Sequence, residues 1–168
     1  MTAAGRHRRA GADLRPQRSL WTSGRGGPSL RGMDIRPIVD GYAVAPQIDP
    51  GDMPEVAAAG YACVICNRPD EENPPHRSMA RMAEAARSAG LRFEALPVTH
   101  ATLADAAGRQ REIVDSAGGP VLAYCASGTR STILWALGQA GDRPAEEIVA
   151  AGAQAGYDLA PIRAALGG

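Results

Sequence analysis

Four apolar residues, Val121-Leu122-Ala123-Tyr124, lead into a loop of small residues, Cys125-Ala126-Ser127-Gly128-Thr129, and then through Arg130 into a helical stretch that reaches Ala140. An apolar run without polar alternation needs cover on both of its faces, which predicts a buried strand of a parallel sheet. The same pattern recurs along the chain. Asp34 to Ile38 and Tyr42 to Val44 read as short strands around the turn Asp40-Gly41. Asp49-Pro50 caps a helix that runs to Ala59 and is closed by Gly60. Tyr61 to Cys66 is a β-branched apolar run, followed by a polar loop from Asn67 to His76. Ser78 to Ala89 reads as a helix with Met79, Met82 and Ala86 on one face, and Arg92 to Val98 alternates as a strand. Thr102 with Asp105 imitates a capping box for a helix to about Ala117, and Gly118-Gly119-Pro120 turns the chain into the Val121 strand. The helix after the cysteine loop is expected over Ser131 to Ala140, with Pro144 opening another and Pro161 a last short one. Strands separated by helices predict an α/β fold with a mostly parallel sheet flanked by helices, and 168 residues suit one domain.

Such a turn from strand to helix aims backbone amides and the positive end of the helix dipole at whatever lies over Cys125. That field favours the thiolate and holds an oxyanion beside it. Arg130 adds a forked permanent charge suited to sulfate, sulfonate or phosphate oxygens. Cys125 and Arg130 are therefore the candidate catalytic pair. Ala126, Ser127, Gly128, Thr129 and Ser131 are the candidate substrate-binding residues, since glycine permits close backbone approach and the hydroxyls can donate. In the polar loop, Arg68 is a candidate anion ligand and Asp70 a candidate acid for a leaving group, the alternative being a surface Arg68–Asp70 pair. His76 and His100 could shuttle protons. Cys63 and Cys66 have a C-x-x-C spacing, but three residues apart on a strand they point to opposite faces, which argues against a shared metal. Cys63 reads as core, and Cys66, at the end of its strand, as core or as a resolving thiol for Cys125. No metal or other cofactor is expected.

The formal charge is zero, but it is unevenly spread. Residues 1–32 carry seven of the eighteen arginines and a single acid, Asp13; the remainder is acidic. The first stretch is rich in Gly, Ser and Pro and is expected to be a disordered basic extension. It reads as a nucleic-acid or membrane-surface arm, as a targeting peptide, or as the product of a start codon assigned upstream of Met33; the last is preferred, so no nucleic-acid partner is expected. No segment has the ~20 apolar residues that a membrane span requires. Three cysteines give no even disulfide framework, which suggests a reducing compartment, the cytoplasm.

Several separated pieces carry a family resemblance: Asp34-Ile35-Arg36-Pro37-Ile38, Val44-Ala45-Pro46-Gln47-Ile48, Val64-Ile65-Cys66-Asn67-Arg68-Pro69-Asp70, Leu96-Pro97-Val98-Thr99, and the Cys125 loop running into Leu134-Trp135-Ala136-Leu137. In this order they resemble the beta-lactamase hydrolase-like, phosphatase-like domain family, also described as sulfur transferases of the cysteine-phosphatase-like superfamily, over residues 33–168. The chain has Ala126 where that family usually carries arginine, and Cys66 where asparagine is common. The resemblance implies a cysteine-phosphatase-like fold of the dual-specificity type, with the loops at 67–76 and 97–102 on the rim that carries Cys125. It also implies that a metallo-hydrolase- or dioxygenase-type protein is a conceivable partner. Cysteine phosphatases place five residues between cysteine and arginine; this chain has four, which matches the six-residue loop of rhodanese-type sulfur transferases. The expected activity is therefore sulfur transfer through a Cys125 persulfide, from a small anionic donor such as thiosulfate or a persulfide to an acceptor thiol. The alternatives are phosphate-ester hydrolysis through a thiophosphoryl-Cys125 intermediate, and a non-catalytic anion-binding or redox-sensing module.

Overall fold

The computed structural model describes residues 32–167. The basic extension expected over residues 1–32 thus lies almost wholly outside the described residues. Five strands form one sheet: β1 (Arg36–Val39), β2 (Tyr42–Ala45), β3 (Cys63–Cys66), β4 (Arg92–Ala95) and β5 (Val121–Tyr124). Their spatial order is β1-β2-β5-β3-β4; β1 and β2 are antiparallel, and every other pairing is parallel. The helices are α1 (Met53–Ala58), α2 (Met79–Ser88), α3 (Leu103–Ser116), α4 (Thr129–Gln139) and α5 (Ala145–Gln154), with a last 3-10 turn over Ala160–Leu166.

β5 is the middle strand, and its period of two divides the core. Val121 and Ala123 face one layer with Ile113 of α3, Trp135 and Ala136 of α4 and Ile148 of α5. Leu122 and Tyr124 face the other with Met53 and Val56 of α1 and Met82 and Ala86 of α2. A strand covered on both faces can be apolar throughout, which is why the Val121–Tyr124 run lacks alternation. The register aligns Ala45, Cys66 and Tyr124, so β2, β3 and β5 end level and open onto a common carboxyl-terminal rim. Open parallel sheets place their ligand crevices at this edge.

Some element ends depart from expectation. β3 begins at Cys63 rather than Tyr61, and β4 stops at Ala95 rather than Val98. Pro97 has no N–H to give a ladder, although the flanking amides of Leu96 and Val98 still reach the carbonyls of Cys66 and Asn67. The capping box at Thr102 is not made: its Oγ1 accepts from the Thr99 amide at 2.9 Å instead of bonding into α3. α4 begins at Thr129, two residues before the expected start. Cys63 and Cys66 do fall on opposite faces, one in each core layer.

Candidate active site

The Cys125 loop hangs between β5 and α4 and is tied at both ends. The Cys125 amide donates to the Ala45 carbonyl at 3.4 Å, and the Gln47 amide to that of Ala126 at 3.3 Å, which fastens the loop to the end of β2. Gly128 adopts a φ of 90° and caps α4; its carbonyl accepts from the Thr132 amide and from Thr132 Oγ1. This backbone is left-handed and suits glycine. Any Cβ there would collide with Tyr157 Oη and lie 2.9 Å from its Cζ. The fold turns the Gly128 N–H onto Cys125 Sγ at 3.1 Å. The cysteine itself is fully buried.

A cavity of about 330 Å³ adjoins the loop, lined by Ala126, Ser127, Thr129 and Arg130 from one side and by Glu72, Thr99 and His100 from the other. The Arg130 guanidinium is nearly buried, and its fork is filled: Nη1 and Nη2 donate to the two Glu72 carboxylate oxygens at 2.8 and 2.7 Å, and Nη1 also to the Val98 carbonyl at 2.9 Å. Arg130 holds the Glu72 carboxyl below its ordinary range, so this acid is ionised near neutral pH.

The expected site residues divide into those at the cavity and those behind it. Ala126, Ser127, Thr129 and Arg130 line the cavity as the loop predicts, while Cys125 lies buried behind them. Gly128 and Ser131 are inside the structure rather than on the cavity wall: Ser131 Oγ donates to Asn67 Oδ1 at 2.8 Å, because its place in the first turn of α4 points it under the sheet edge. Arg68 does not line the cavity. Its Nη1 donates to Gln47 Oε1 at 3.1 Å and its Nη2 to the Glu72 carbonyl at 2.9 Å, so it braces the loop that presents Glu72. Asp70 is spent elsewhere too, since its Oδ1 accepts from the Met79 amide at 2.7 Å, at the start of α2, and from Asn73 Nδ2 at 3.3 Å. The simple Arg68–Asp70 pair is likewise not formed. Of the two histidines, His100 reaches the cavity lining and His76 does not. The Cys66 thiol donates to the Arg68 carbonyl at 3.4 Å, and burial pushes its pKa up, which opposes a resolving thiolate.

Sequence reasoning missed Glu72, Thr99 and a buried polar network beneath the loop. There, Asn67 Nδ2 donates to Gln110 Oε1 and to the Leu96 carbonyl, both at 3.0 Å, and Gln110 Nε2 donates to Tyr42 Oη at 2.9 Å. Tyr42 Oη donates in turn to the Ser131 carbonyl at 2.7 Å. Asn67 and Gln110 are fully polar side chains with almost no exposure, and each satisfies the other. Among the described residues there is no group of three or more His, Cys, Asp or Glu side chains that could hold a metal, and no helix is long and apolar enough to cross a membrane.

Comparison with known proteins agrees with this architecture. A beta-lactamase hydrolase-like protein of Xylella fastidiosa (strain Temecula1) is 36% identical over 131 residues, 76% of this chain and 30% of the relative. A protein of that name from Agrobacterium fabrum is 36% identical over 92 residues, 54% of this chain and 21% of the relative. The chain thus spans less than a third of the length of these curated relatives. A crystal structure of a Neisseria meningitidis protein named for phosphatase activity superposes with a TM-score of 0.71 at 31% identity, covering 80% of this chain and 96% of that one. A Shewanella putrefaciens protein similarly named superposes with a TM-score of 0.61 at 18% identity, covering 82% and 91%, and attests the fold alone. With residues 34–142 matching the model of the beta-lactamase hydrolase-like protein, phosphatase-like domain, the chain belongs to that family.

Proposed function

We propose that the protein is a cysteine-dependent sulfur transferase built on the phosphatase-like fold. The observation that carries the reading is the engagement of its carboxylates: Glu72 faces the cavity but is ionised in the fork of Arg130, and Asp70 is held at the start of α2. Phosphate-ester cleavage asks for an acid beside the leaving oxygen. Transfer of a sulfane sulfur does not, and the four-residue spacing from Cys125 to Arg130 suits that smaller group.

In the proposed cycle the Cys125 thiolate attacks the outer sulfur of thiosulfate. A Cys125 S–S bond forms as the S–S bond of the donor breaks, and sulfite leaves with the electron pair. An acceptor thiolate then attacks the outer sulfur of the Cys125 persulfide, taking that sulfur and releasing the Cys125 thiolate. The Gly128 N–H, 3.1 Å from Sγ, and the Arg130 charge stabilise the anion at both stages. The cytoplasm as compartment and a metallo-hydrolase- or dioxygenase-type partner belong to the same proposal.

The second reading is a phosphatase. It is favoured by the position of His100 on the cavity wall, where it could protonate a leaving oxygen, and by the naming of the Neisseria relative. Intact-protein mass spectrometry of the wild type and Cys125→Ser, after thiosulfate and separately after p-nitrophenyl phosphate, decides between them. A reducible gain of one sulfur confined to the wild type is the expected result. Nitrophenol release without that adduct would replace sulfur transfer by phosphatase chemistry, and neither signal would leave the anion-binding module.

A further inference from the structure

After α5 the chain turns at Gly156 and sends Tyr157 back toward the sheet, beyond the 34–142 span that defines the family match. The side chain is more than nine-tenths buried. Its ring lies under Arg36, whose Cζ is 5.3 Å from the centroid and whose Nη1 donates to the Ala155 carbonyl at 3.1 Å. The Tyr157 hydroxyl reaches the loop that carries Cys125 and donates to the Ser127 carbonyl at 3.0 Å.

The Ser127 carbonyl and the Gly128 N–H belong to one planar peptide group, in which a trans bond points oxygen and hydrogen in opposite directions. One end of that group is bonded to Tyr157 Oη and the other to Cys125 Sγ, at 3.0 and 3.1 Å. We propose that Tyr157 is a positioning residue for the nucleophile: by gripping the Ser127 carbonyl it sets the plane of the peptide whose N–H stabilises the Cys125 thiolate. A carbonyl that accepts a hydrogen bond also polarises its own amide, which strengthens the bond on the far side. The glycine at 128 lets the phenol come this close, since a Cβ would strike Oη. The inference rests on Cys125 as the nucleophile, and holds for sulfur or phosphoryl transfer alike.

The titratable and charged groups that act on Cys125 are Arg130 from α4, Tyr42 from β2, Cys66 from β3 and Tyr157 itself. Burial disfavours ionisation of Tyr42, Cys66 and Tyr157, which leaves the Arg130–Glu72 ion pair as the charged groups, and Tyr157→Phe touches neither member. The test is the pH profile of Cys125 alkylation by iodoacetamide, read by peptide mass spectrometry so that Cys63 and Cys66 are counted apart. In Tyr157→Phe the midpoint should rise by about 0.5 to 1, slowing alkylation at neutral pH by about threefold to tenfold. Arg36→Met, which loosens the ring's surroundings but keeps the hydroxyl, should lower Tm and leave the midpoint in place. A Tyr157→Phe midpoint equal to that of the wild type, or an Arg36→Met shift as large as that of Tyr157→Phe, would overturn the role of the hydroxyl alone. A wild type in which Cys125 is alkylated at neutral pH no faster than Cys63 and Cys66 would overturn the nucleophile and this role together.

Discussion

Asn67→Ala should be among the most damaging single substitutions outside the apolar core. Asn67 is fully buried at the end of β3 and serves three elements at once. Its removal leaves the Leu96 carbonyl without this donor, Gln110 Oε1 without a donor and Ser131 Oγ without its acceptor. A buried polar group that loses its partner costs about 1–3 kcal/mol. Gln110 keeps its bond to Tyr42, and the three losses share one vacated space, so the sum is about 3–5 kcal/mol rather than the maximum. Urea unfolding followed by far-UV circular dichroism reads this as a fall in midpoint of roughly 2 M, given a slope on the order of 2 kcal/mol/M. Asn67→Asp supplies the sign. It keeps the acceptor oxygen but buries a carboxyl, whose folded-state pKa is raised by desolvation. Relative to the wild type, its stability should therefore be greatest at low pH and fall as pH rises above the unfolded carboxylate value of ~3.9. A loss below about 1 kcal/mol for Asn67→Ala, or an Asn67→Asp variant that gains stability relative to the wild type with rising pH, would refute the view that this network is dry and mutually satisfied.

Gly128→Ala places a Cβ against Tyr157 Oη in left-handed backbone, and should lower stability by about 2–4 kcal/mol while slowing Cys125 alkylation at neutral pH; stability and reactivity near wild type would show that the loop yields easily. Glu72→Gln removes the ion pair with Arg130. Because the Glu72 carboxyl is held below its ordinary value, the stability it contributes is present above the unfolded pKa and disappears as pH falls through the folded one. Unfolding at pH 7 and pH 3 should accordingly show a larger gap between wild type and variant at pH 7, and an equal gap would mean that charge is not what holds the contact.

The sheet was legible because its strands announce themselves one at a time. Val121–Tyr124 is apolar throughout and needs no distant information to be read as a doubly covered strand. The ends were less legible where a side chain has a choice of partners, as with Thr102, whose hydroxyl turns to Thr99 rather than to α3. The same division runs through the site. Cys125, Ser127, Thr129 and Arg130 lie within six consecutive residues, so one turn geometry brings them together. Glu72 comes from 58 positions before Arg130 and sits in a run of three acids, Asp70-Glu71-Glu72, with no periodicity to say which faces inward. Asp70 looked equally suited to chemistry until the fold gave its carboxylate to the Met79 amide. Asn67, Gln110 and Tyr157 were invisible for a related reason, since a polar side chain reveals whether it is buried only when its partners are in place.

The two walls of the cavity are built to different degrees of order. The wall of Ala126, Ser127 and Thr129 follows β5, which like β3 has parallel neighbours on both edges and helices on both faces. Glu72 ends a single 3-10 turn over Asp70–Glu72, which hangs between β3 and α2. In amide hydrogen exchange the first wall should open only with the whole molecule, while the second should open locally at far smaller cost. Different ligands can then be accommodated by rearranging the Glu72 wall against a sulfur that stays fixed.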